Sequence, residues 1–213
     1  MANDHWPLFD LEVRTPRLTL RYLDDSLAAE VLATAARGVH DPAVMPFSIP
    51  WTDLPSPHME QEAMRFYARS RAEVRPAAWC LQFAVLSDGT AIGACDLRST
   101  EFPTMREFTT GSWLGSDVQG RGLGKEMRMA TLTLGFDGLD AEFALTAAWH
   151  DNAASLGVTR SLGYEETGRR RELRRGRPDD QVTFRMSRAH WATLRRDDIA
   201  LHGVSAARAF LGV

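Results

Sequence analysis

Two cysteines in 213 residues are too few for a disulfide framework, and both Cys80 and Cys95 lie inside apolar runs. That placement suits reduced, packed thiols better than a disulfide or a metal centre. No Cys/His pair has zinc-ligand spacing, and the six histidines are scattered, so no metal is expected. No apolar run approaches the roughly 20 residues that a bilayer-spanning helix needs. The opening MANDHWPLFDLEV has acidic residues and no apolar core, so it does not read as a secretion signal. These absences together point to the cytoplasm and away from a membrane. Positive charge is not in excess either. A formal net charge of -3 gives no reason to expect a nucleic-acid partner. With 44% hydrophobic residues the chain can bury one sizeable core, and 213 residues are few for two. The expectation is one domain over 1–213, with a core at 14–196 and a C-terminal extension at 197–213.

Long regular repeats and linkers are also missing, and the order of elements reads β-α-α-β-β-β-α-β-α-β-β-α. TPRLTLRYL (Thr15–Leu23) alternates as a strand does, and Leu27, Val31 and Ala35 mark one face of a helix ending near Gly38. Asp41–Pro57 holds five prolines, too many for a regular element, and a long irregular segment is often a binding loop. A helix is predicted over His58–Val74. Trp79–Leu86 and Ala91–Arg98 flank SDGT, a hairpin signal. Glu107–Leu114 is a strand, followed by a glycine-rich stretch and a helix. In that helix Leu123, Met127, Ala130 and Leu134 share one face. Strands are then predicted at Glu142–Trp149, Tyr164–Leu173 and Gln181–Ser187, and helices at Ala153–Leu162 and His190–Arg196.

The glycine-rich stretch SDVQGRGLGKEM places bare backbone just before a helix. A helix N-terminus presents unpaired N–H groups and the positive end of the peptide dipole, so a phosphate is its natural occupant. A P-loop would need glycine and Ser or Thr where Gln119 and Glu126 stand. A dinucleotide fingerprint would need glycine where Lys125 stands. What remains is Gln119-x-x-Gly122-x-Gly124. A plain glycine turn is the alternative.

That pattern resembles the pyrophosphate-binding motif of the GCN5-related N-acetyltransferases. TPRLTLR resembles the opening strand of the branch that includes the ribosomal-protein N-terminal acetyltransferases. HDNAASLGVTRSLGY (His150–Tyr164) resembles its second signature, and DDQVTFRMSRAHW its closing strand and helix. The resemblance implies an α/β fold with a central mixed, mostly antiparallel sheet, splayed between two parallel strands and carrying helices on both faces. It also implies acyl transfer from acetyl-coenzyme A, or a related acyl-coenzyme A such as succinyl, to a primary amine on a peptide N-terminus, lysine or small molecule. A catalytically silent coenzyme A-binding module is the alternative, and a homodimer or higher homo-oligomer stays open.

Carried onto this chain, the resemblance sets the cofactor's pantetheine arm against Trp113, Leu114 and Gly115. The pyrophosphate falls on Gln119, Gly120, Arg121, Gly122, Leu123, Gly124 and Lys125, with Asn152 and Ser155 beside the arm. Relatives often protonate the leaving thiolate with a tyrosine seven residues after the Asn. Thr159 stands there, which leaves Ser155 as the candidate acid. The place of a frequent glutamate base is Thr109, so Glu107, on the same strand face, is the candidate base and Asp96 a second option. Met45, Phe47 and Trp51 are candidates for the acceptor pocket. Arg169, Arg170, Arg171, Arg174, Arg175 and Arg177 form either a solvated hairpin or a site for an acidic group.

Overall fold

The computed structural model describes residues 3–213; Met1 and Ala2 of the expected domain lie outside them. Its first elements are a short 3-10 turn at Pro7–Asp10 and the strands β1 (Glu12–Arg14) and β2 (Thr19–Tyr22). The strand expected over Thr15–Leu23 is shorter, forming only β2, while Thr15–Leu18 is a bend and β1 lies ahead of the expected span. Thr15 N donates to Leu18 O at 2.8 Å, and Leu18 N donates back to Thr15 Oγ1 at 2.9 Å. Pro16 inside that bend has no N–H for a ladder.

Helix α1 (Asp25–Ala36) starts where Asp24 accepts from Leu27 N, a side-chain N-cap. Its buried Leu27, Ala28 and Val31 pack with Ala84 and Ala94 of the sheet. Helix α2 (His58–Ala72) lies on the same face, after the proline-rich segment, which is irregular apart from a 3-10 turn at Trp51–Asp53. Strands β3 (Ala78–Ser87) and β4 (Thr90–Thr100) form the expected hairpin. Both turn residues have positive φ, 48° at Asp88 and 77° at Gly89, as a tight turn matched to strand twist requires. A short helix, α3 (Phe102–Met105), leads into β5 (Glu107–Leu114).

On the opposite face, α4 (Leu123–Thr133) runs on into a π-helical segment, Leu134–Gly138. The remaining elements are β6 (Phe143–Trp149), α5 (Ala153–Ser161), β7 (Glu165–Arg174), β8 (Arg177–Ser187), α6 (Arg188–Leu194), β9 (Ala200–His202) and α7 (Val204–Leu211). The alanine-rich end of the chain is thus more than a tail. Strand β9 pairs antiparallel with β1 at the sheet edge, and α7 buries Ala207 and Leu211 completely.

The nine strands form one sheet in the order β7-β8-β6-β5-β4-β3-β2-β1-β9. Every neighbouring pair is antiparallel except β5 and β6. That parallel pairing holds only for Glu107↔Phe143, Phe108↔Ala144 and Thr109↔Leu145. Beyond it, β5 stays with β4 up to Leu114 and β6 stays with β8 up to Trp149. The two strands therefore part like a fork while each keeps its outer neighbour.

Two local contacts fix α4 over this fork. Gly135 lies against the buried Phe108 ring, where an added Cβ would sit 2.1 Å from Cζ. Glu126, 7% exposed, is gripped by the bend at Thr15. Its Oε1 accepts from Thr15 Oγ1 at 2.6 Å and from Arg17 N at 3.0 Å, and its Oε2 accepts from Arg17 Nε at 2.6 Å. Burial pushes the Glu126 carboxyl up, but these hydrogen bonds and the Arg17 charge outweigh it and leave the pKa below the usual value.

Two stability predictions follow from these contacts. Gly135→Ala is expected to cost about 1–3 kcal/mol through overpacking. Gly157→Ala in α5, where an added Cβ meets nothing within 4 Å, is expected to gain about 0.5–1 kcal/mol. Urea denaturation of both measures this, and the reverse ranking would contradict the packing described. Glu126→Gln is expected to lose about 1–3 kcal/mol at neutral pH. A depressed carboxyl stabilises above its unfolded pKa of about 4.3, so the deficit is expected to shrink as pH falls below that value. A pH-independent deficit would mean that the charge of Glu126 is not what holds the bend.

Candidate active site

At the open end of β5 the chain must turn from strand to helix within a few residues. Gly115 N donates to Ile92 O at 2.9 Å and Ser116 N to Gly38 O at 3.0 Å, so the turn is bound to β4 and to the end of α1. Gly120 and Gly122 then adopt positive φ, 75° and 77°, which glycine tolerates without a Cβ penalty. Gly122 is the N-cap of α4 and no side chain caps that end. Gly124 differs, because it sits in the first helical turn. A Cβ there would meet only Val158 Cγ2, at 3.9 Å. Neither backbone conformation nor crowding requires glycine at 124, and its lack of a side chain leaves the face of the first turn open.

Among the residues expected to hold a cofactor, Gln119 is already engaged. Its Nε2 donates to Val39 O and to Leu114 O, each at 2.8 Å, so the amide braces the loop. Arg121 Nη2 donates to Asp117 O at 2.7 Å, and Lys125 Nζ donates to Ser161 O at 3.3 Å near the C-terminal end of α5; both are exposed. A cavity of about 330 Å³ opens beside the helix start, lined by Gly122, Lys125, Ser161, Arg17 and Arg196 among others. Arg17 and Arg196 were not picked out as site residues from the sequence. Neither is near the glycines in the chain, and only the bend at Thr15 and the turn after α6 bring them there. Arg17 is held by Glu126, which also lines the cavity, and Arg196 by Asp198, while Lys125 enters no ion pair among the described residues. An uncapped helix N-terminus with these cations around it could hold a polyphosphate.

Across the fork, Asn152 is the N-cap of α5. Its Oδ1 accepts from Ser155 N at 3.1 Å, and its own N–H donates to Trp149 O at 2.9 Å. Ser155 is half-buried in the first turn of α5, whereas Thr159 is fully buried and not available to a ligand as the structure stands. Val158 lies against Gly124, so the start of α4 rests against the second half of α5.

The other face of the fork carries a different set of groups. Gly111 on β5 lies opposite Asp96, which Arg98 holds through two hydrogen bonds of 2.6 and 2.9 Å. Trp113, Trp51 and Phe47 follow one another at 5.8 and 5.3 Å between ring centroids. Trp149 Nε1 donates to Phe47 O at 3.4 Å. The aromatic loop therefore bridges from β5 to β6 over the open fork. Met45 does not share this surface: it is 2% exposed, and its carbonyl accepts from Arg174 Nε at 2.8 Å.

Two sequence candidates are placed elsewhere than their proposed roles require. Glu107 lies at the closed end, where β5 and β6 are still hydrogen-bonded, seven residues along the strand from Leu114. At about 3.3 Å per residue that separation is roughly 23 Å, so Glu107 lies well away from the open end of β5. Three of the six hairpin arginines, Arg170, Arg174 and Arg175, are already paired. Arg174 binds Asp151 and Asp179 and stacks over Trp149 at 5.1 Å, while Arg175 binds Asp53 at 2.6 Å. Arg170 donates to Gln181, whose Nε2 reaches Ser48 Oγ at 2.9 Å. These arginines fasten the loop at 42–53 to β7 and β8. Sequence could not show this, since the loop partners Met45, Ser48 and Asp53 lie more than 100 residues away.

Residues 17–165 match the family model described as an acetyltransferase (GNAT) domain. Similar solved structures include RimL, the ribosomal L7/L12 alpha-N-protein acetyltransferase, in complex with coenzyme A. It is 18% identical with a TM-score of 0.66, over 81% of this chain and 95% of that one. A GCN5-related N-acetyltransferase from Brucella melitensis is 19% identical with a TM-score of 0.68, over 94% and 85%. The ribosomal-protein-S5-alanine acetyltransferase from Vibrio fischeri is 19% identical with a TM-score of 0.66, over 85% and 99%. At such identities the structures speak for the fold, while the family model spans most of the chain. With its forked sheet and its glycine-led helix start, the chain belongs to the GNAT acetyltransferase family and is an acyl-coenzyme A-dependent N-acyltransferase.

Proposed function

We propose that this protein transfers an acetyl group from acetyl-coenzyme A to a primary amine by direct attack, with donor and acceptor entering the fork from opposite faces. The observation that carries the reading is the parting of β5 and β6 beside an uncapped helix N-terminus. On this reading the pyrophosphate rests on the N–H groups of Gly120 to Lys125, with Arg17, Lys125 and Arg196 as counter-charges. The pantetheine arm follows the free edge of β5 near Trp113, Leu114 and Gly115, as an added strand would. RimL, as a complex with coenzyme A, supports the class of ligand.

The acceptor amine enters from the face of α1 and α2, past Phe47, Trp51 and Trp113. Aromatic walls favour an amine carried on an apolar or extended chain, and two of the relatives named above act on ribosomal proteins. A peptide N-terminus is therefore the first acceptor to test. Asp96 is the only carboxylate among the sequence candidates that faces the open part of the fork, beside Gly111. Held by Arg98, it can attract the incoming ammonium, and the proton then leaves to water. The paired arginines of the hairpin give no preference for a succinyl donor, so acetyl is the simpler choice.

Release of free thiol from acetyl-coenzyme A in the presence of short peptides, polyamines and lysine tests the reaction. Amine-dependent release is expected, strongest with peptides; thiol release that no amine accelerates would refute it. Gly124→Val is expected to weaken coenzyme A binding about tenfold or more, or about 1.4 kcal/mol, without loss of stability. Calorimetric titration decides this, and unchanged affinity would remove the helix start from the site. Arg175→Gln is expected to raise KM for the amine by about 3–10-fold while leaving KM for the donor unchanged, because it loosens only the aromatic loop. A donor-side effect instead would place the loop on the wrong face.

A further inference from the structure

A polar cluster sits in the crotch of the fork, on the α4 face, away from the groups just described. Arg128, in the second turn of α4, is 6% exposed and is the only buried arginine among the described residues. Its Nη1 donates to Thr146 Oγ1 on β6 at 3.2 Å. Arg17, Arg98 and Arg174 each hold a carboxylate, whereas Arg128 enters no ion pair among the described residues. Thr110 and Thr146 are the first residues beyond the last β5–β6 pair. Thr159 Oγ1 is buried without a hydrogen-bond partner, and the buried Thr110 Oγ1 and Tyr164 hydroxyl approach one another and Arg128 without closing a well-formed hydrogen bond. The Tyr164 hydroxyl faces both Arg128 and Thr110.

Among the described residues no carboxylate pairs with this cation. Tyr164 and, on β4, Cys95 lie beside it, and the Asp96 carboxylate next along β4 is held by Arg98. Burial raises both pKa values, so phenol and thiol alike stay protonated and uncharged. A buried guanidinium with no counter-charge is unfavourable, and so is each stranded hydroxyl. Several such groups converging at the point where two strands part make one half of an interaction. The other half is a negative group that arrives in the fork.

Transfer of an acyl group from a thioester produces such a group. The amine nitrogen forms a bond to the acyl carbon, the carbon–sulfur bond breaks, and the electron pair leaves on sulfur. The nitrogen's surplus proton passes to water, so the products are an amide, a thiolate and a proton. We propose that the Arg128 guanidinium is the counter-charge for the departing thiolate, which then needs no acid in the fork. This rests on the reading above that the thioester lies between β5 and β6. It accounts for a site that keeps a buried threonine at 159 and still has a route for the leaving group.

Free coenzyme A is the probe. Its thiol ionises near about 8.5 in solution, and the thiolate is followed by its ultraviolet absorbance. Bound to the wild-type protein, the thiol is expected to ionise about one unit lower or more. Arg128→Met is expected to abolish that shift, and Arg128→Lys to retain most of it. Desulfo-coenzyme A is expected to bind wild type and Arg128→Met alike. Turnover of acetyl-coenzyme A is expected to fall about 10²-fold in Arg128→Met with donor KM nearly unchanged. The same thiol pKa in wild type and Arg128→Met would overturn the proposal. So would a loss of turnover in Ser155→Ala that Arg128→Met does not share, since serine would then be the acid. If wild type binds no coenzyme A, the functional reading fails first and the inference with it. Should Arg128→Met fold poorly, Arg128→Lys against Arg128→Gln gives the same comparison of charge.

Discussion

Three residue pairs hold β5 to β6, and the proposed binding of coenzyme A depends on there being no more. A sheet that stayed paired along its length would satisfy its own backbone and leave no room for a ligand. Each strand leaves the other while keeping an outer partner, β4 or β8, so parting costs only one side of each ladder. The free edge of β5 then offers N–H and C=O groups to something that is not protein. Helix α4 starts beside that opening, and its position is set by contacts far from it in the chain. Glu126 binds the bend at Thr15, and Gly135 admits Phe108.

Much of this order could be read from the residues alone. Hydrophobic period and turn chemistry located β3, β4, β5, α1 and α5 closely, because each rests on local rules. What could not be read was mostly long-range. Thr15-Pro16 shortens the expected strand to β2, because the threonine hydroxyl bonds within the bend and the proline cannot join a ladder. The C-terminal segment gives no strong strand signal, since three residues suffice for β9 once β1 presents an edge.

The same division holds at the site. The glycines at 120, 122 and 124 stand out in sequence because bare backbone is a local property. Arg17 and Arg196 do not, since the fold brings them to the helix start from elsewhere. Gln119 fits the family pattern but spends its amide on Val39 and Leu114, so its value lies in the shape of the loop. Glu107 shares a strand face with the open fork but lies at its closed end, a distinction that strand register alone can make. The arginine-rich hairpin shows how far composition can mislead: a run of cations becomes a set of ties once Asp53, Asp151 and Asp179 are in place.

The central claim is that the fork and the start of α4 together receive coenzyme A. Amide hydrogen exchange with and without the coenzyme tests it most directly, because the unpaired N–H groups in question are the ones the ligand would cover. Exchange is predicted to slow in Gly120–Lys125 and Gly111–Leu114, while β9 and α7 at the far edge of the sheet stay unchanged. Protection confined to another cavity, such as the one lined by Trp6, Phe9 and Arg71, or no protection in either segment, would contradict the account.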